Sequence, residues 1–124
     1  MNGDSLLIDT NIIIYLLNGD EDIKSYLQGN EIYISFVSEM ELLSYPEINE
    51  DDINEIHQLF KQLKIIDINN SIKEKAITLR RKYKIKLPDS IVLATAQYLG
   101  ITILTADKQM SRIKEEINLV IYKP

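Results

Sequence analysis

A chain of 124 residues, 45% apolar and 27% charged, has the make-up of a folded domain able to bury a core, which excludes a disordered or fibrous reading. The absence of cysteine rules out disulfides, zinc–thiolate sites, iron–sulfur clusters and thiol catalysis together. A net charge of −5, from 14 Lys plus Arg against 19 Asp plus Glu, argues on its own against a nucleic-acid partner.

The N-terminus Met1-Asn2-Gly3-Asp4-Ser5 carries no basic segment or small-residue cleavage site, so a cytoplasmic location is expected. The longest apolar stretch, Leu6 to Leu17, is broken by Asp9, Thr10 and Asn11 and falls short of the roughly 18 residues of a membrane span. Within it, Leu6 to Ile8 reads as a first strand, and Ile32 to Ile34 as a second. A short helix carrying Glu41 follows the second strand. Ile53, Ile56, Leu59, Phe60 and Leu63 recur at three- and four-residue spacing, predicting an amphipathic helix before a third strand at Ile65 to Ile68. Ile72, Ala76, Leu79 and Tyr83 mark another such helix. From Asp89 to Leu99 apolar residues occupy nearly the whole circumference, as in a helix covered on several sides, with Pro88 suited to its first turn. Strands at Thr102 to Leu104 and Leu119 to Ile121 complete the pattern. There is no repeat and no linker, so residues 1–124 are expected to form a single domain. Alternating strands and helices imply an α/β fold: a three-layer α/β/α sandwich around a five-stranded, mainly parallel sheet.

In such a sheet ligands bind beyond the carboxyl ends of the strands. Asp9 follows the first strand, Glu41 lies after the second, Asp89 opens the helix that leads into the fourth, and Asp107 follows the fourth. Each has a local explanation. Asp9 or Asp107 can cap the helix or turn behind it, Ser38 and Glu41 spell a capping box, and Asp89 suits a helix N-terminus. Capping alone does not require four acids from four elements to emerge at one edge. If they converge, their charges need a cation. Oxygen donors without His or Cys select a hard ion, Mg²⁺ or Mn²⁺, and the chemistry such an ion supports best is phosphodiester hydrolysis.

Leu7-Ile8-Asp9-Thr10-Asn11, Ile34-Ser35 followed by Glu41-Leu42-Leu43, Leu87-Pro88-Asp89 with Ala94-Thr95-Ala96, and Leu104-Thr105-Ala106-Asp107 resemble, in that order, the PIN-domain ribonucleases. Closest are the VapC-type toxins of bacterial toxin–antitoxin pairs. The resemblance runs from about Leu6 to Met110. It implies a metal-dependent endoribonuclease in which Asp9, Glu41 and Asp89 match the three acids of the family and Asp107 a more variable fourth. By the same resemblance Asn11, Ser38 and Thr105 match supporting polar positions. An RNA substrate such as tRNA or rRNA, a small antitoxin partner and a homodimer are implied too. Glu39 competes with Glu41, but it lies about 200° away around a helix, and the family's acid-then-Leu pattern favours Glu41. Many members carry a further acid and then Phe after the Thr-x-Asp position; Gln109 and Met110 stand here instead, and Leu93 occupies a commonly small position.

Setting aside the four candidate acids takes the charge from −5 to −1, so the rest of the chain is nearly neutral. Arg80, Arg81, Lys82, Lys84 and Lys86 crowd just ahead of Asp89 as candidates for RNA phosphates, or else as cations solvating a helix end. His57, the single histidine, reads as a surface residue, and Tyr33, Tyr83 and Tyr98 as core or boundary packing. Two other readings stay open: a PIN-like module that binds RNA or protein without turnover, and a phosphotransferase that forms a phospho-Asp at Asp9.

Overall fold

The computed structural model describes residues 3–124. In chain order the elements are β1 (Ser5–Ile8), α1 (Thr10–Leu17), α2 (Glu21–Leu27), β2 (Glu31–Ser35), α3 (Phe36–Leu43), α4 (Glu50–Phe60), β3 (Lys64–Ile66), α5 (Asn70–Tyr83), α6 (Leu87–Leu99), β4 (Thr102–Thr105), a 3₁₀ segment (Lys108–Ile113) and β5 (Leu119–Ile121). The strands pair in the order β3-β2-β1-β4-β5. Every pairing is parallel, so the expected "mainly parallel" sheet is parallel throughout the described residues.

Strand alternation divides the core in two. Leu7 and Ile103 face a cluster built with α5, α6 and the 3₁₀ segment, whereas Leu6, Ile8 and Leu104 face one built with α1, α2 and α4. This is the expected three-layer sandwich. The predicted faces hold: Ile56 and Phe60 of α4, and Ile72, Ala76 and Leu79 of α5, are buried. The edge strands β3 and β5 have three residues each and are only half-buried, a length that gives a foreign strand little to pair with.

Two expectations change, and a helix stands where none was expected. The third strand ends at Ile66 rather than Ile68, because Asp67 turns its carboxylate onto the Ile68 N–H (2.7 Å) and takes that donor out of the ladder. Tyr98 is exposed, since the core contacts at that end of α6 are taken by Leu99 and Ile101; Tyr33 and Tyr83 do pack against the core. Helix α1 begins immediately after Asp9, inside the long apolar stretch. Its isoleucines pack under the sheet and give little of the polar alternation that marks an amphipathic helix. Helix α6 ends in a left-handed Gly100 (φ 68°) whose N–H reaches the Ala96 and Gln97 carbonyls. Gly100→Ala is expected to cost about 1 kcal/mol in chemical denaturation, because a Cβ disfavours that backbone conformation.

Candidate active site

The chain leaves β1 for β2 and β3 on one side, then returns to place β4 on the other, so the order of connection reverses between β1 and β4. A crevice opens beyond the carboxyl ends of two parallel strands at such a point. Asp9 directly follows β1, Thr105 ends β4 and Asp107 lies just beyond it; Asp9 N–H reaches across to the Leu104 carbonyl (3.3 Å). Helix α6 leads into β4 from the same edge, which brings Asp89 there in its first turn. Glu41 is carried on α3, directly after β2.

Asp9 is buried and occupied on both oxygens. Its Oδ1 accepts the Ile12 N–H (3.1 Å) as the cap of α1, and its Oδ2 accepts the Thr105 hydroxyl. The Thr105 hydroxyl oxygen in turn accepts the Asp107 N–H (3.1 Å). Thr105, fully buried, therefore ties the end of β1 to the turn after β4. Asp107 caps the 3₁₀ segment through the Gln109 N–H (2.9 Å). The capping readings of Asp9 and Asp107 are thus correct and also hold these carboxylates at the crevice. The capping-box reading of Ser38 and Glu41 is not: Ser35 caps α3, and Ser38 lies buried within it. There the Ser38 Oγ and Glu41 Oε1 both face the Thr10 hydroxyl (2.9 and 2.7 Å). Thr10 is a link that sequence reasoning missed; its only signal was adjacency to Asp9. Asn11 is exposed, and no described hydrogen bond joins its side chain to the acids.

The acids feel one another. Burial raises the Asp9 pKa above the usual carboxylate range; its hydrogen bonds from Thr105 and Ile12 oppose this, and the Asp107 and Asp89 charges add to it. Asp89 is raised by burial first, then by Asp107 and Glu41, with Lys86 pulling the other way. A carboxyl whose folded pKa lies above its unfolded value adds stability below the unfolded value, and that contribution is lost as pH rises through the folded one. Carboxylates held low, such as the half-buried Asp20 and the exposed Glu31, work oppositely as pH falls, so the two effects are separated by comparing variants. Asp89→Asn should gain thermal stability relative to the parent as pH is raised from 4 to 7. A difference in melting temperature constant over that range would contradict the electrostatic account.

Among the described residues, no three Asp, Glu, His or Cys side chains form a group able to hold one metal ion. The donors that do gather still suit a hard cation. Asp89 and Asp107 line one cleft of about 370 Å³, with Asp9 and Glu41 within electrostatic reach. Mg²⁺ characteristically needs only one or two carboxylates, filling its remaining positions with water and phosphate oxygens. The same arrangement removes support for a phospho-Asp9, whose formation needs an accessible carboxylate oxygen.

The five candidate cations are dispersed. Lys84 and Lys86 line the cleft, joined by Arg112, which sequence reasoning did not single out. Lys82 pairs with Glu116 (3.4 Å), Arg80 donates to the Ile85 carbonyl (3.1 Å), and Arg81 is exposed away from the cleft lining. His57 is exposed, as expected.

A PIN domain family model matches residues 6–116. Among solved structures, a chain of a toxin–antitoxin complex from Klebsiella pneumoniae is 31% identical, with a TM-score of 0.82 over 96% of this chain and 99% of that one. A chain of VapBC2 from Rickettsia felis bound to a DNA fragment from their promoter is 21% identical, with a TM-score of 0.85 over 96% and 99%. A chain of VapBC-1 from nontypeable Haemophilus influenzae is 23% identical, with a TM-score of 0.78 over 94% and 97%. No curated protein matches significantly. The match spans the four acids and both strand ends that carry the crevice, and the chain belongs to the PIN domain family, with the fold of its VapC-type toxins.

Proposed function

We propose that the chain is a Mg²⁺- or Mn²⁺-dependent endoribonuclease acting as the toxin of a toxin–antitoxin pair. The observation that carries this reading is the crevice between β1 and β4, where burial and neighbouring acids raise the pKa of Asp9 and Asp89, and where Asp89 and Asp107 share a cleft with cations. Asp89 and Asp107 would hold the ion, with Asp9 and Glu41 completing the negative field. When bound, a hard divalent ion supplies charge neutralisation and polarises the phosphoryl oxygens. Thr105 keeps the buried Asp9 oriented, and Thr10 restrains Glu41, so both charges act on the cleft from defined positions. Lys84 and Lys86 offset the repulsion between the acids and an incoming phosphodiester.

A tRNA or rRNA substrate, a small antitoxin, a homodimer and a cytoplasmic place of action belong to the same reading. The toxin–antitoxin complex from Klebsiella pneumoniae supports the antitoxin partner. No described helix is long and apolar enough to cross a membrane. A second reading, an RNA- or protein-binding module without turnover, is favoured by the lack of a ready three-carboxylate group among the described residues. Incubating purified protein with total RNA and Mn²⁺, with and without chelator, separates the two. Cleavage that stops with chelator supports the nuclease; intact RNA under both conditions supports the module.

A further inference from the structure

Asp89 and Asp107 share their cleft with Lys84, Lys86 and Arg112. Cations lodged beside carboxylates for structural reasons normally pair with them. The ion pairs among the described residues are Lys64–Glu31 and Lys82–Glu116, and neither reaches the cleft. Arg112 is anchored by its Nε, which donates to the Gln109 carbonyl (3.3 Å), while its two terminal nitrogens have no described partner. Lys84 has a φ of 56°, the one positive value at a described residue other than glycine. It is the left-handed residue that ends α5, with its N–H on the Arg80 carbonyl (2.9 Å), and it sets the direction in which the turn toward α6 leaves the helix. Here the Arg80 guanidinium braces the turn by donating to the Ile85 carbonyl (3.1 Å).

We propose that Arg112 is a substrate-binding residue, forming with Lys84 and Lys86 a clamp on a backbone phosphate of an RNA strand laid across this cleft. The proposal rests on the nuclease reading of the same site. A polyanion entering a cleft floored by acids needs cations that those acids have not already consumed, and these three are such cations. They come from two segments, the α5–α6 turn and the 3₁₀ segment, so they can contact a phosphate from more than one direction. The planar fork of Arg112 suits two phosphate oxygens at once, which a lysine ammonium cannot match.

The test is fluorescence anisotropy with a labelled, cleavage-resistant 2′-O-methyl RNA oligonucleotide in chelator, across a range of salt. Arg112→Gln and Lys86→Gln should each weaken binding roughly five- to tenfold and lower the slope of log K against log salt by about 0.7, the value for one lost phosphate contact on a single strand. Arg112→Lys should keep the slope and lose part of the affinity. Arg81→Gln, whose residue does not line the cleft, should stay within about twofold. If Arg112→Gln does not fold, Lys86→Gln at an exposed position decides on the same terms. Unchanged affinity and slope in the cleft variants overturns the clamp, and so does a parent protein that fails to bind the oligonucleotide in chelator. Binding that depends on Arg112, with unmodified RNA left intact in Mn²⁺, overturns the nuclease reading and leaves the clamp standing.

Discussion

Asp89→Asn should lower RNA cleavage in Mn²⁺ by about 10²-fold or more, a barrier increase of about 2.7 kcal/mol, without unfolding the protein. Asp89 is half-buried in the first turn of α6 and has no described hydrogen-bond partner, so an amide of nearly the same shape breaks no protein contact there. What changes is charge. The substitution removes one of the two carboxylates lining the cleft and relieves the repulsion that Asp107 and Glu41 exert at this position. The variant should therefore melt above the parent in chelator at neutral pH, and the rise in melting temperature with Mn²⁺ should shrink, because an ion that binds only the native state stabilises by mass action. Loss of cleavage accompanied by a large loss of stability would instead mark Asp89 as a structural residue.

Thr105→Val is expected to destabilise the fold by roughly 1–3 kcal/mol, the cost of leaving buried polar groups without partners. Valine keeps the volume and branching of threonine and removes only the hydroxyl. That hydroxyl serves both Asp9 and the Asp107 N–H, and no buried side-chain nitrogen or oxygen among the described residues lacks a partner. The loss should depend on pH in a defined sense. Thr105 holds the Asp9 pKa down against burial, so its removal raises that pKa further and adds a penalty above it, when the carboxyl must ionise. Urea denaturation should thus show a larger Thr105→Val effect at pH 7 than at pH 4, and Thr105→Ser should recover much of it. Equal effects at both pH values would mean that the hydroxyl does not act through the charge of Asp9.

The architecture was legible wherever a pattern had one cause. The strands followed from short apolar runs such as Leu6 to Ile8, and the amphipathic faces of α4 and α5 from residues such as Ile56, Phe60, Ile72 and Leu79 meeting the core on one side. Helix α1 was obscured because packing under the sheet makes it as apolar as β1, so Leu6 to Leu17 reads as one hydrophobic stretch. At the site, the sheet-edge rule led to the four acids, since each follows a strand or opens a helix at the carboxyl edge. Sequence could not show that Asp9 caps α1 with one oxygen while the other meets Thr105, because that contact spans 96 positions. The basic run from Arg80 to Lys86 could be sorted only in space, for a related reason. Adjacency along α5 distributes side chains around the helix, so Lys82 turns to Glu116 while Arg112, far away in sequence, joins Lys84 and Lys86.

The central claim, that acids at the β1–β4 crevice bind a hard divalent ion, is tested most directly by anomalous diffraction from crystals soaked in Mn²⁺. The account predicts one strong manganese peak in the cleft, within coordination distance, about 2.0–2.3 Å, of carboxylate oxygens of Asp89 and Asp107. A crevice without a peak at saturating Mn²⁺, or manganese held only at other carboxylates of the surface, would contradict it.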